Sequence, residues 1–260
     1  MRVESLRRKR RRRRFLLVLT LATVGLVIVD LVHGSRVERE TTARSQPVAP
    51  VVSPAAAPVE SATPSTAAVT VPQHGAGKFT LASGATPTRG SGGTLVRYQV
   101  EVERGSGQDA NAFAAAVDAT LSDPRGWTHA HQWRFRRVTS GPVDATVMLA
   151  TPATTDTICR AGGLDPHGYT SCRTDNKVVI NLARWLLAVP AFLGDVAGYR
   201  QYVINHEMGH QLGHGHVLCN GSGQPAPVMQ QQTLGMQGCK PNAWPFVNGS
   251  YLTGAPTTGQ

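Results

Sequence analysis

Apolar and polar residues alternate most regularly at Val96, Tyr98, Val100 and Val102, with Arg97, Gln99, Glu101 and Glu103 between them. A period of two is that of a strand with one wet face. The spacing then widens to four. Phe113, Val117 and Leu121 form the apolar stripe of a helix, with Ser106-Gly-Gln-Asp109 ahead of it as a cap and Asp123-Pro124 as its end. Trp133 and Phe135, alternating with Arg134 and Arg136, predict a second strand, and Val143, Ala145, Val147 and Leu149 a third. Residues 171–174 and 177–182 read as a hairpin closed at Asp175-Asn176, residues that accept tight-turn geometry. Residues 184–187 form a short helical or irregular link. Asp195 can cap a helix running to about Leu212, with Tyr199, Val203, His206 and His210 along one side. Little periodicity follows His216. The folded part is expected at residues 94–252, an α/β (α+β) domain long enough for one core.

Ahead of this domain the pattern is different. Residues 15–32 are 18 mostly apolar residues, interrupted near their end by Asp30. That length is about the minimum for a transmembrane helix and long for a signal-peptide core. Residues 1–14 hold nine basic side chains (Arg2, Arg7, Arg8, Lys9 and Arg10 to Arg14) against Glu4, so +9 − 1 = +8 of the formal net charge of +10 lies there. A nucleic-acid-binding domain would carry such an excess on its folded part, so no nucleic-acid partner is expected. The basic block reads instead as the cytoplasmic flank of a single-pass signal-anchor, with the remainder of the chain outside the cell membrane. Arg12-Arg13-Arg14-Phe15-Leu16 also fits a twin-arginine export signal, and a cleaved signal with a secreted product is the alternative. Residues 33–93 shift to Pro, Ala, Ser, Thr and Val without periodicity, which predicts a disordered linker with a reach of about 40 Å. The alternative for residues 77–82 is an extended strand packed on the domain. Residues 253–260 are expected to be a flexible tail.

The candidate chemistry lies at His206-Glu-Met-Gly-His-Gln-Leu-Gly-His-Gly-His216. On a helix His206 and His210 share one face, so two imidazoles can reach one metal while Glu207 flanks them. Gly213 tolerates positive φ and lets the chain fold back, so that His216 can supply a third ligand. Three His, one Glu and one Gly at these fixed spacings arise by chance only about once in 10⁴ to 10⁵ chains of this length. His214 is expected to be solvated or to sit behind the ligands, His129 and His131 to lie on the surface, and Asn205 to carry no assigned role.

These residues resemble the zinc site of the metzincin clan of metalloproteases, matched at His206, Glu207, His210, Gly213 and His216. The resemblance implies a metzincin-like single domain. Its parts would be a mixed twisted sheet with an antiparallel edge strand, an active-site helix and a small irregular C-terminal subdomain. It also implies a Met-turn, a methionine in a tight turn that forms an apolar floor under the ligands. Met229 in Pro227-Val228-Met229-Gln230 is the better candidate and Met236 the weaker. In that plan residues 171–174 would be the edge strand with which a peptide could pair. Several metzincin families place a tyrosine just after this methionine. Here Gln230, Gln231 and Gln232 follow, so no tyrosine oxyanion stabiliser is carried over. From about residue 90 the chain also resembles a family of actinobacterial cell-envelope proteins described as a domain of unknown function.

The four cysteines match no zinc-ribbon spacing, and outside the cytosol disulfides are the default. Of the three connectivities, Cys159–Cys172 with Cys219–Cys239 is preferred, each closing a loop worth roughly 3 kcal/mol. The function expected is an extracytoplasmic zinc endopeptidase acting on a protein or peptide substrate, cell-envelope proteins among them. One Zn²⁺ per domain would be held by His206, His210 and His216, with Glu207 as general base toward a zinc-activated water. The same site could serve a hydrolase of cell-wall peptide. A zinc-stabilised binding module without catalysis is the reading from another class, and it leaves Glu207 without a purpose.

Overall fold

The computed structural model describes residues 69–257. The basic block, the anchor at 15–32, residues 33–68 of the linker and the last three residues lie outside them. Among the described residues no helix is long and apolar enough to cross a membrane.

The alternating stretch from Thr94 forms β2 (Thr94–Glu103), the spine of a mixed six-stranded sheet. One side of β2 pairs in parallel with β4 (Ala145–Ala150), and β4 in turn with β6 (Lys177–Asn181). β5 (Cys172–Thr174) closes that edge antiparallel to β6. The other side of β2 is divided. Its first half pairs in parallel with β3 (Trp133–Arg137), and its end pairs antiparallel with β1 (Phe79–Leu81). The hairpin at Asp175-Asn176 and the antiparallel edge strand therefore appear where the sequence predicts them.

Four helices complete the domain: α1 (Ala110–Ser122), α2 (Pro152–Ala161), α3 (Leu182–Leu187) and α4 (Val196–Gln211). Asp109 caps α1 by accepting from the Ala112 amide at 2.7 Å, and Pro124 follows its last turn. Phe113, Val117 and Leu121 are fully buried, each contributing about 1.5 to 3 kcal/mol. The period of two sorts the sheet residues between two faces. Val147, Leu149, Val178 and Ile180 join the core made with α1 and α4, whereas Ala150 and Val179 meet Cys159 of α2 and Cys172 of β5 on the other face. The Cys159–Cys172 disulfide lies in that smaller cluster, and the second disulfide joins Cys219 to Cys239. A short ribbon, β7 (Phe246–Val247) and β8 (Ser250–Tyr251), ends the fold.

Two expectations need correction. The linker does not extend to residue 93: the alternative of an extended strand at residues 77–82 holds, and β1 and its flanks are part of the domain. Glu103, placed by alternation on a wet face, is only 1% exposed. The two findings have one cause. The Glu103 carboxylate accepts from the Gly77 amide, the Thr151 amide and hydroxyl, each at 2.8 Å, and the Thr154 hydroxyl at 2.6 Å. It thereby fastens a segment that has no apolar pattern of its own, and a Cβ at Gly75 would lie 2.2 Å from its Cδ. α2, whose buried residues are Pro152, Thr155 and Cys159, was also not anticipated.

Burial would raise the pKa of Glu103, but hydrogen bonds from Thr154, Thr151 and Gly77 outweigh it and hold the carboxyl below its ordinary value. A folded pKa below the unfolded one contributes stability above about pH 4.3, lost as pH falls through the folded value. Glu103→Gln is therefore expected to destabilise the domain by about 1 to 3 kcal/mol at pH 7. In thermal unfolding the gap to wild type should close below about pH 4. A gap independent of pH would contradict this account.

Candidate metal centre

α4 starts at Asp195, whose carboxylate accepts from the Gly198 amide at 2.8 Å, and places His206 and His210 one turn apart. The helix stops at Leu212 because Gly213 follows with φ of 93°. The Gly213 amide then donates to the His210 carbonyl at 3.1 Å and the His214 amide to the Gly209 carbonyl at 2.9 Å, the double closure that a left-handed residue permits. The returning chain carries His216 back to the helix. The Nε2 atoms of the three rings lie 3.3 Å (His206 to His210), 2.9 Å (His210 to His216) and 3.3 Å (His206 to His216) apart. Nitrogen ligands about 2.0 to 2.1 Å from a tetrahedral zinc would be separated by about 3.3 Å.

Two rings are oriented from behind. His206 Nδ1 faces the Val228 carbonyl at 2.8 Å, and His210 Nδ1 faces the His214 carbonyl at 2.8 Å. A carbonyl accepts only, so both Nδ1 atoms carry the proton and both Nε2 atoms present lone pairs. Burial pushes the His206 pKa well below its usual value, helped by His210 and His216; burial also lowers that of His210, and that of His216 to about 4. The rings are thus neutral near pH 7. Of three close nitrogen contacts, only those to His216 could contain a proton, so the cluster suits a cation better than a hydrogen-bonded histidine group.

Beneath the rings, residues 227–230 form a tight turn in which the Gln230 amide donates to the Pro227 carbonyl at 3.0 Å. Met229 is 2% exposed and packs under the helix at Gly209, where a Cβ would lie 2.4 Å from its sulfur and 2.8 Å from Trp127. The small residue inside the motif is what lets this floor approach. Gln230 and Gln232 are buried, and their side-chain amides donate to the carbonyls of Gly235 and Met236 and of Pro227 and Asn242 respectively. Tyr202 Oη donates to the Gln230 carbonyl and accepts from the Gln232 amide.

The rings open onto a cleft of about 680 Å³ lined also by Glu207, residues 164–167 and 169–173 of the β5 approach, and Gln231, Thr233 and Leu234. Glu207 is buried, its carboxyl group makes no hydrogen bond among the described residues, and burial pushes that group's pKa up to about 8. His214 stacks on Trp127 with ring centroids 4.5 Å apart and contributes its carbonyl, not its ring, to the site. His129 and His131 are exposed. Trp127 and Asn205, to which the sequence assigns no role, both support the site. The indole donates to the Asn205 carbonyl at 3.0 Å, and the Asn205 amide donates to the Ala243 carbonyl at 2.9 Å, tying the helix to the C-terminal segment. Partners 78 and 38 residues away leave no local signal.

Fold and site together define an α+β domain with a three-histidine centre formed by its longest described helix and the chain that returns after it. Residues 64–247 match the family described as protein of unknown function, DUF3152, and the chain belongs to that family. No curated protein and no solved structure matches it.

The raised pKa of Glu207 has a cost in the metal-free protein. In the unfolded chain the carboxyl ionises near pH 4.3, whereas in the fold it stays protonated to about 8, so stability falls as pH rises between the two. Glu207→Gln is accordingly expected to raise the thermal stability of chelator-treated protein by a few kcal/mol at pH 8 and by little at pH 4. Equal effects at both values would show that burial is not the cause.

Proposed function

We propose that the chain is an extracytoplasmic zinc-dependent endopeptidase. The observation that carries this reading is the convergence of three neutral imidazoles beside a carboxyl group that nothing else engages. His206, His210 and His216 would hold the metal. When bound, it supplies a Lewis acid and lowers the pKa of water from about 15.7 to about 7. Glu207 is assigned the proton: it accepts it from the attacking water and returns it to the leaving amine. A purely structural centre would close its fourth position with a protein ligand, and no fourth His, Cys, Asp or Glu joins this triad among the described residues.

The motif's resemblance to the metzincin zinc site supports the same assignment, as do the turn at Met229 and the edge strand beside the cleft. β5 pairs on one side only among the described residues, so an extended peptide could add to its open edge. The two disulfides fit an oxidising compartment.

Full-length protein is expected to carry one zinc per chain and to cleave peptides in a chelator-sensitive manner. His206→Ala and His210→Ala should lose the metal. Glu207→Gln should keep it and lose about 10² to 10⁴ in turnover. Wild type that binds zinc but cuts nothing across a broad peptide library would leave the binding module as the better reading.

A further inference from the structure

We propose that Arg173 is an anion-recognition residue of this cleft, and that the substrates carry a carboxylate close to the bond that is cut. This rests on the endopeptidase reading and adds the substrate's charge to it. Arg173 occupies the middle of β5, whose other two residues, Cys172 and Thr174, are buried. Alternation turns the half-buried Arg173 to the opposite face, where it lines the cleft together with His206, Glu207, His210 and His216. Its Nε donates to Gln211 Oε1 at 2.9 Å, and the Gln211 amide donates to the Asp144 carbonyl at 2.9 Å. The guanidinium is therefore held through one nitrogen by a side chain that is itself fixed.

Its two terminal nitrogens make no hydrogen bond or ion pair among the described residues. Arg97, Arg125, Arg137 and Arg160, by contrast, each meet an aspartate. Asp165, which also lines the cleft, is engaged by Arg160 at 2.8 Å. Glu207 lies in the same cleft but forms no ion pair with Arg173. A preorganised guanidinium with two nitrogens unengaged is a fork for a carboxylate, and Arg supplies such a fork where Lys supplies only a point charge. The carboxylate could come from an Asp or Glu side chain or from a free peptide C-terminus.

The test uses zinc-loaded full-length chain and peptides of equal length with Glu or Gln beside the cleaved bond, each with a free or an amidated C-terminus. Wild type should prefer the carboxylate by about 10- to 100-fold in kcat/KM, chiefly through KM. Loss of preference on amidation assigns the C-terminus; loss on Glu-to-Gln exchange assigns the side chain. Arg173→Gln should abolish the preference, bringing kcat/KM for the acidic peptide down to that for its neutral counterpart in the same variant, Arg173→Lys should keep part of it, and Arg173→Glu should favour a Lys peptide. A role confined to holding Gln211 would change melting temperature without changing charge preference. Binding of the same labelled peptides to Glu207→Gln, with and without Arg173→Gln, is read in parallel by anisotropy. Cleavage without charge preference overturns the anion site and leaves the endopeptidase standing. Charge-selective binding that depends on Arg173, with no peptide cut, keeps the anion site and removes the endopeptidase. Equal binding of Glu and Gln peptides together with equal binding of free and amidated termini overturns the anion site whatever is cut.

Discussion

Three imidazole Nε2 atoms lie within 3.3 Å of one another, at least two of them with lone pairs that repel unless a cation lies among them, and each ring must be kept from swinging away. Much of the C-terminal half of the domain answers that constraint. The left-handed residue at Gly213 reverses the chain, and the carbonyls of Val228 and His214 clamp two rings. Met229 and Trp127 fill the space below, which a side chain at position 209 would block. The loop supplying Val228 and Met229 has almost no regular structure, so its shape comes from buried glutamine amides, the Tyr202 hydroxyl and the Cys219–Cys239 bond. Orientation from behind is what makes a set of histidines behave as one ligand group.

The same region carries an unfavourable element. A carboxyl group buried without a partner is costly, and here it lies within the motif itself. Such a cost is common where chemistry requires a group that folding alone would not retain. It separates Glu207 from Glu103, an equally buried carboxylate whose four hydrogen bonds make it a fastening. Both glutamates are buried; the hydrogen bonds around them tell the fastened one from the unengaged one.

What was legible in the sequence was whatever has a short period. The alternation in β2, the stripe of α1, the Asp175-Asn176 turn, the Asp195 cap and the spacing of the three histidines are all written within a few residues, and each was found. What was not legible depends on distant partners. β1 is held by its ladder with β2 and by the reach of Glu103 back to Gly77, so residues 77–82 offered an extended strand only as the second of two readings. α2 buries mostly small or polar side chains, so it lacks a stripe. The carbonyl that orients His206 belongs to the backbone, and the indole at Trp127 meets its partner only once the chain has closed on itself.

The bond between Cys159 and Cys172 has a meaning beyond loop entropy. β5 is three residues long, too short for its ladder to specify alignment firmly, and a slip of one position would exchange its two faces. Such a slip would turn the guanidinium of Arg173 toward Val179 and Ala150 and the Cys172 sulfur away from Cys159. The covalent link to α2 forbids it. A cystine on the far side of the sheet thus works as a parity lock, deciding from beneath which residue the edge strand displays above.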